Sequence, residues 1–254
     1  MGRVLGRLST SPPAPKLVAP VTDMLRGAAE YAPAWLAALL STIGVLPGAD
    51  TVVARFMASS GAQGAALTRT TAAVTGVTAG VADNVLPQQG TININTRLLP
   101  GDTPQDVLTY LTSVIGPKDM ARVTLELGPP GTSQPPSPVT PVDGPHYKLL
   151  KQAIQEFWHV DEEPVAVLPV LLPGVTDSRH YGSLTVHGCM RFMPLGQSAA
   201  TDVTRIHSTD ERTSVDYYRG QLCTTRRVLQ LLGELGGAGQ GAGRSKGAEA
   251  QPEL

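Results

Sequence analysis

A stretch of alternating residues, Thr91–Leu98, constrains the fold of this chain more than any other feature. Its residues fall on two faces, with Ile92, Ile94 and Thr96 on one and Asn93, Asn95 and Arg97 on the other. A two-residue period of this kind is typical of an antiparallel strand with one face buried and one face in solvent. The sequence therefore predicts a sheet with a single buried face, which a layer of helices must cover.

The segments around this strand predict the helices and further strands of an α+β layer. Pro100-Gly101-Asp102 ends the strand, and Thr103 is placed to cap a helix that runs to about Ile115. Residues 17–59 have helical periodicity, and we expect Thr68–Val81 and Arg122–Leu127 as two more strands. Helical sequence followed by strand, strand, helix and strand favours one sheet with helices on one face.

A stretch rich in Pro, Ser, Gly and Thr, Gly128–Pro145, predicts a linker between two parts of the chain. After it we expect a helix over Pro145–Trp158 and a long helix beginning at Ser214. Val165–Leu172 is almost wholly apolar, which predicts a strand buried on both faces in a parallel sheet, and Met190–Met193 is a candidate for another strand. Beyond Gly236 the Gly/Ala/Ser/Glu composition predicts a disordered tail.

Composition excludes some classes of function. Charged residues make up 16% of the 254 residues and the formal net charge is −1, which argues against nucleic-acid binding and against a polybasic membrane patch. The most apolar run, Trp35–Leu46, is too short to span a bilayer and predicts a packed helix instead. The first residues lack the apolar run of a secretory signal. Cys189 and Cys223 are expected as free thiols, without the spacing of a metal site.

The first candidate site is the polar segment Gly174–Tyr181, directly after the predicted strand Val165–Leu172. In open α/β sheets, binding sites form at the carboxyl ends of strands, where Thr176, Asp177 and Arg179 would lie. The alternative is a helix amino terminus at which Thr176 or Asp177 is a cap. Residue chemistry alone leaves both interpretations open.

The second candidate site is His207, which lies in the segment Arg205–Arg212 ahead of the last helix. A loop histidine near carboxylates can be a metal ligand, but a single one is more often an ordinary surface residue. Asp210 and Glu211 are equally explained as favourable charges at a helix amino terminus. Neither this segment nor the first one identifies a reaction.

Five separated motifs, taken in order, resemble a known family. They are Arg69-Thr-Thr-Ala, Gly80-Val-Ala-Asp-Asn-Val-Leu-Pro87, Asn95-Thr-Arg-Leu-Leu-Pro-Gly-Asp-Thr103, Thr176-Asp-Ser-Arg-His-Tyr181, and Arg205-Ile-His followed by Glu211-Arg-Thr-Ser-Val215. Together they resemble the di-zinc amidohydrolases and exopeptidases that include aminoacylase, bacterial carboxypeptidase G and Gly-X carboxypeptidase. Within that family they are most similar to the secreted N-fatty-acyl-amino-acid synthase/hydrolase branch.

The resemblance implies a domain organisation. Residues 1–130 would form a ferredoxin-like dimerisation lid of antiparallel sheet and helices, with a helical insertion at 17–59. Residues 131–145 would be the linker, residues 146–235 the last part of a zinc-binding α/β domain, and residues 236–254 the tail. We therefore expect a homodimer formed through the lid.

The resemblance also implies roles for six residues. His207 matches the family's last zinc ligand, in a site that holds two zinc ions in full-length members. Asn84 and Arg97 match lid residues that contact substrate or lie near it. Thr176, Asp177 and Arg179 match a loop that lines the substrate pocket, where an arginine suits a free carboxylate because it can hold both oxygens.

The family's other zinc ligands and its general base have no matched motif here, and the resemblance places them before residue 1. A di-zinc site needs five or six protein ligands and a base. We therefore expect the carboxy-terminal part of an amidohydrolase that acts on N-acyl amino acids or dipeptides, inactive by itself. The alternative is a non-catalytic dimerisation or interaction module.

Overall fold

The computed structural model describes residues 1–129, 131–185, 188–193, 205–206 and 208–244, with side chains described up to residue 235. The described residues divide into two compact units. Unit 1 contains Met1–Thr140 and Leu168–Cys189, and unit 2 contains Pro141–Val167 and the residues from Met190 onward.

Unit 1 begins with five helices. They are α1 (Gly2–Thr10), α2 (Ala19–Ala28, continued by a 3-10 turn at Ala29–Tyr31), α3 (Ala34–Ser41), α4 (Ala49–Ser59) and α5 (Ala62–Thr68). The helical character predicted for residues 17–59 is confirmed, although the segment is three separate helices and a 3-10 turn. Glycines with positive φ at positions 44 and 48 account for the break between α3 and α4.

Two antiparallel strands follow, β1 (Thr71–Ala79) and β2 (Gly90–Arg97), and both match strands predicted from the sequence. Their register pairs Thr71 with Arg97 and Ala79 with Gly90, with a bulge between Val74 and Gly76. Two helices complete the regular part of the unit, α6 (Pro104–Ile115) and α7 (Pro117–Met120). Thr103 caps α6 as predicted, in a reciprocal capping box with Asp106.

The core of unit 1 lies between α1, α6 and the sheet. Ile92 and Ile94, on the face of β2 predicted to be buried, pack against a cluster of five buried side chains: Val4, Leu8, Val107, Leu111 and Ile115. An α+β layer is therefore confirmed. The helix that covers the sheet, α1, was not predicted from the sequence, since the first segment expected to be helical begins at residue 17.

The third predicted strand, Arg122–Leu127, is not formed. Val123 and Leu125 do face the core cluster, as their alternation predicts, but the segment has no strand pairing. Alternation reports which side chains are buried, whereas a strand also needs a neighbouring backbone to bond with. The described sheet at this position has only β1 and β2.

Unit 2 is built on α8 (Pro145–Phe157) and α9 (Val215–Arg244), with a hairpin of β3 (His159–Val160) and β4 (Glu163–Pro164) after α8. Both helices are predicted from the sequence, and α9 continues past Gly236, where the tail was expected to begin. The remainder of that tail, residues 245–254, lies outside the described residues.

The expected parallel strand Val165–Leu172 is not formed, and neither is a strand at Met190–Met193. Both sheets within the described residues are antiparallel and two-stranded. Gln155 and Tyr147 of α8 donate side-chain hydrogen bonds to the carbonyls of Val165 and Val167, in place of a strand partner. The apolar run is divided between the two units after Val167, so it cannot be one buried strand. No described helix combines the length and hydropathy needed to cross a membrane.

Candidate functional site

Arg97 joins the end of β2 to the segment that carries the first candidate site. It is the last residue of β2, and its guanidinium Nη1 donates a hydrogen bond to the carbonyl oxygen of Pro173. The next residue, Gly174, is close enough that a β-carbon placed there would lie 4.0 Å from the same nitrogen. The structure therefore brings Arg97 to the start of the polar turn at 174–181, two features that the sequence places 76 residues apart.

Segment 168–189 is held to the rest of unit 1 at two further places. A β-carbon at Gly27 of α2 would lie 2.9 Å from a methyl carbon of Leu168, so that side chain sits directly on the helix. Gly188 has a φ of +79° and lies against Pro138. A β-carbon placed on Gly188 would lie 3.1 Å from the carbonyl oxygen of Pro138. With the Arg97 contact, these fix the start, middle and end of the segment.

The polar turn itself is a short 3-10 helix, Asp177–His180, preceded by Thr176. Thr176 occupies the cap position, but its hydroxyl pairs with the hydroxyl of Ser178 at 2.6 Å and makes no capping bond to the backbone. The capping interpretation is therefore wrong for the Thr176 side chain. The interpretation as a binding site remains a prediction.

Asp177 and Arg179 are both exposed on this turn. Arg179 Nε donates a 3.0 Å hydrogen bond to Nε2 of His180. A guanidinium has five N–H donors in a planar fork, so this one bond leaves four donors able to face a ligand. That geometry is suited to a carboxylate.

Asn84 lies in the loop that connects β1 to β2, and every residue from 81 to 90 is exposed. Val81 and Leu86, on either side of it, are 93% and 91% exposed. Within the described residues no hydrogen bond links Asn84 to Arg97 or to the 176–180 turn, so the structure does not bring all five described candidates together. Asn84 was identified through the resemblance of its motif, Gly80-Val-Ala-Asp-Asn-Val-Leu-Pro87, and not through a physical pattern in the loop.

The carboxyl groups with perturbed pKa values belong to structural contacts. A hydrogen bond from the Arg3 guanidinium lowers the pKa of Asp119, which ties α1 to α7. Hydrogen bonds from Thr103 lower the pKa of Asp106 in the capping box, and a hydrogen bond from Arg227 lowers the pKa of Glu156 between α9 and α8. Perturbed carboxyl groups can mark catalytic sites, but each of these three is explained by its role in holding helices.

His207, the predicted metal ligand, lies outside the described residues. The residues that are described contain no group of three or more His, Cys, Asp or Glu side chains that could hold a metal ion. One His-x-Asp sequence, His159-Val160-Asp161, is present but was not singled out from the sequence; it forms part of the β3–β4 hairpin. The described side chains therefore do not fit a zinc centre. Cys189 and Cys223 are free, as expected.

Comparison with known protein families agrees with the α+β layer. Residues 26–121 match the family described as the M20 peptidase dimerisation domain. The match covers α3 to α7, both strands of the first sheet, Asn84 and Arg97. No solved structure matches the chain.

Comparison with curated proteins gives relatives of two kinds. The N-fatty-acyl-amino acid synthase/hydrolase of Homo sapiens is 33% identical over 183 residues, which are 71% of this chain and 34% of that protein. The Xenopus tropicalis protein of the same name is 39% identical over 150 residues, 59% of this chain and 27% of that protein. A probable carboxypeptidase S-like protein of Dictyostelium discoideum is 33% identical over 155 residues, 61% of this chain and 28% of that protein.

These comparisons confirm the resemblance predicted from the five motifs. The chain is homologous to the carboxy-terminal parts of these proteins, and it spans 27% to 34% of the length of the three named here. It is thus related to peptidase-family amidohydrolases.

Proposed function

We propose that this chain provides the dimerisation lid and one side of the substrate pocket of a zinc-dependent amidohydrolase that acts on N-acyl amino acids or dipeptides. The observation that carries the proposal is the hydrogen bond from Arg97 to Pro173. It places an arginine of the matched dimerisation domain beside the turn that holds Thr176, Asp177 and Arg179. The names of the relatives, which include N-fatty-acyl-amino acid synthase/hydrolases and carboxypeptidase S-like proteins, support the same class of substrate.

Recognition of the free carboxylate is the role we assign to the arginines. Substrates of this class carry one carboxylate that does not react. Arg179 offers donors in a planar fork and is exposed, so it can hold both oxygens of that group. Arg97 uses one donor on Pro173, and a guanidinium has four further N–H donors with which to bind a ligand. Thr176, Asp177 and Asn84 would add polar contacts to the rest of the substrate.

The described residues do not provide the zinc ligands that the chemical step requires. In the proposed enzyme zinc would activate a water molecule for attack on the amide carbonyl. His207 would be the ligand supplied by this chain, and the described side chains do not complete its coordination. We therefore propose that these 254 residues alone do not hydrolyse an amide.

The carboxylate proposal is tested by titrating the chain with an N-fatty-acyl amino acid below its micelle concentration, followed by NMR of 15N-labelled protein. We expect shifts in the amides of residues 174–181, and no shifts with the corresponding amino-acid amide, which lacks the carboxylate. Arg179→Gln should abolish the response, whereas Arg191→Gln is the matched control. Equal responses to the acid and the amide would overturn the proposal.

Activity is tested separately, with the chain incubated with zinc and an N-fatty-acyl amino acid and the release of free amino acid measured. We expect no release above the rate without protein. Zinc-dependent hydrolysis that is lost on chelation would show that the chain is a complete catalyst and that the inactivity proposal is wrong.

A second candidate is a non-catalytic dimerisation module. It is favoured by the match to the dimerisation domain over residues 26–121. The titration separates the two candidates, because a pure dimerisation module has no reason to distinguish the acid from the amide.

A further inference from the structure

A proline-rich segment, residues 133–141, lies outside every described helix and strand. It belongs to the stretch Gly128–Pro145, which the sequence predicts to be a linker, and the proposed function gives it no role. Three of its four prolines, Pro135, Pro138 and Pro141, recur at every third position. A polyproline II helix has three residues per turn, so rings at this spacing fall on one face.

The sequence of this segment restricts its backbone. A proline ring fixes φ at about −65°, which is close to the polyproline II value. A residue that precedes a proline is driven out of the helical region into extended conformations, and Gln134, Ser137 and Thr140 each precede one. Within residues 134–141, Val139 is the sole residue under neither restriction. The segment is therefore extended before any partner binds, and it has little conformational entropy to lose on binding.

One side of the segment is held against the rest of unit 1. A β-carbon placed on Gly188 would lie 3.1 Å from the carbonyl oxygen of Pro138 and 3.3 Å from the hydroxyl oxygen of Thr140. Both atoms therefore face the returning segment 168–189. Gly188 makes this approach possible because it has a positive φ and no side chain.

The proline rings lie on the other side. Pro135 and Pro138 are exposed, whereas Pro136 and Ser137 between them are partly buried. From residue 135 to residue 138 the exposure thus follows the period of three. Two exposed rings one turn apart, ~9 Å along the helix axis, form what we call the PxxP motif. Both rings belong to unit 1, and Pro141, the first residue of unit 2, is also exposed and continues the spacing along the chain.

The sequence around the PxxP motif carries no charge. From residue 127 to residue 142 there is no Asp, Glu, Lys, Arg or His, and the flanking charges are Glu126 and Asp143. A binding groove with charged side chains beside its aromatic residues would find no opposite charge in this stretch to pair with. The motif is therefore suited to a groove lined by aromatic and neutral polar side chains.

We infer that the PxxP motif is a docking site for a partner protein with an uncharged, aromatic-lined groove of the WW-domain type. Such grooves recognise the preformed polyproline II helix through rings on one face. The alternative role of a proline-rich stretch is that of a stiff spacer. A spacer requires the prolines, but it gains nothing from exposed rings one turn apart on one side. The inference is separate from the proposed amide chemistry and does not depend on it.

The experiment titrates the full, unlabelled chain into isolated 15N-labelled WW domains, one at a time, each first shown to bind a proline-rich peptide. We expect saturable shifts in the groove amides of at least one domain. Pro135→Ala and Pro138→Ala each remove one exposed ring and should raise the dissociation constant at least about tenfold, as expected for residues at the centre of a contact.

Pro136→Ala is the matched control. It removes a neighbouring ring and releases the same backbone restriction, but its ring lies on the partly buried side. It should change the dissociation constant less than about twofold, because contacts outside the central rings are nearly neutral. The three variants should have similar midpoints of thermal unfolding, since each loses one proline from the same extended segment.

A measurement on the unmodified chain guards against misfolded variants. Intermolecular nuclear Overhauser effects should connect aromatic protons of the bound WW domain with ring protons of Pro135 and Pro138. The absence of binding to every WW domain would overturn the inference. Equal weakening by Pro135→Ala and Pro136→Ala would overturn it too, because stiffness of the segment would then explain the binding. Stronger binding to an SH3 domain whose ligands carry a flanking arginine would contradict the uncharged groove. The carboxylate titration reports on residues 174–181, so the two proposals fail separately.

Discussion

The indole Nε1 of Trp158, the residue that follows α8, donates a 2.8 Å hydrogen bond to Oγ1 of Thr224, a residue of α9 with no exposed surface. The same indole ring lies against Gly220, one turn earlier on α9, where a β-carbon would come within 2.9 Å of it. The two helices of unit 2 thus approach each other at a polar contact beside a position without a side chain.

Substitution of two glycines of α9 by alanine should have opposite effects. Gly220→Ala forces its methyl group into the Trp158 ring and should destabilise unit 2 by about 1–3 kcal/mol, partly offset by up to ~1 kcal/mol of helix propensity. Gly233→Ala has open space around the added methyl group and should stabilise by about 0.5–1 kcal/mol. Urea denaturation followed by tryptophan fluorescence measures both. Similar effects of the two substitutions would show that the Trp158 contact is not close.

Removal of the Asp119 carboxylate should change the pH dependence of stability. Arg3 and Arg7 pair with this carboxylate at 2.8 and 3.3 Å, and the hydrogen bond from Arg3 lowers its pKa in the folded chain. Stability from a lowered pKa is fully present above the unfolded value of about 3.9, and it is lost as the pH falls through the lower folded value. Asp119→Asn should therefore be less stable at neutral pH, and its stability should depend less on pH below about 4.

Thermal unfolding at several pH values measures this effect, and Asp216→Asn on the exposed start of α9 is the control. Parallel pH profiles for Asp119→Asn and the unmodified chain would count against an ionised, paired Asp119. High salt should weaken the difference only partly, since the carboxylate is largely buried while Arg3 is exposed.

The capping box of α6 should be a measurable source of stability. The Thr103 hydroxyl accepts from the N–H of Asp106, and the Asp106 carboxylate accepts from the N–H of Thr103 at 2.8 Å. Thr103→Ala removes one of these bonds and should cost about 1 kcal/mol, whereas Thr103→Ser keeps the hydroxyl and should cost much less. Denaturation of the two variants side by side measures the difference. Equal losses would mean that the hydroxyl does not cap the helix.

The Arg97 contact should protect the polar turn from hydrogen exchange. Without the guanidinium, the Pro173 carbonyl loses this partner, and of the three contacts described above the segment keeps those of Leu168 and Gly188. Arg97→Gln should therefore speed amide exchange in residues 174–181 several-fold, and mass spectrometry of peptic peptides measures it. Arg122→Gln, at an exposed position, should have no such effect. Unchanged exchange in Arg97→Gln would remove the main support for the proposed pocket.

The parts of the fold that could be predicted from the sequence are those specified by local chemistry. Thr91–Leu98 matches β2 because one buried face requires alternation, and Thr103 begins α6 because a hydroxyl at that position satisfies the helix amino terminus. The predicted strands Arg122–Leu127 and Val165–Leu172 were wrong because a strand depends on a partner backbone, which the segment's own residues do not specify.

The candidate site was less accessible to prediction than the fold. The sequence identified Arg97 and the 176–179 turn separately. Their contact through Pro173 depends on the return of Leu168–Cys189 to unit 1, which no local sequence pattern predicts. The exposure of Trp35 was also missed, because the apolar run Trp35–Leu46 predicts a packed helix without specifying what will cover it.

The return of Leu168–Cys189 to unit 1 has a consequence for biosynthesis. The polypeptide passes between the two units three times, after Thr140, Val167 and Cys189. On the ribosome, unit 1 cannot acquire its final contacts when residue 140 emerges, since Leu168, Pro173 and Gly188 have not yet been translated. Nascent unit 1 must wait with Gly27 and Arg97 uncovered while residues 141–167 of unit 2 are made, so unit 1 cannot finish folding before part of unit 2 has been translated.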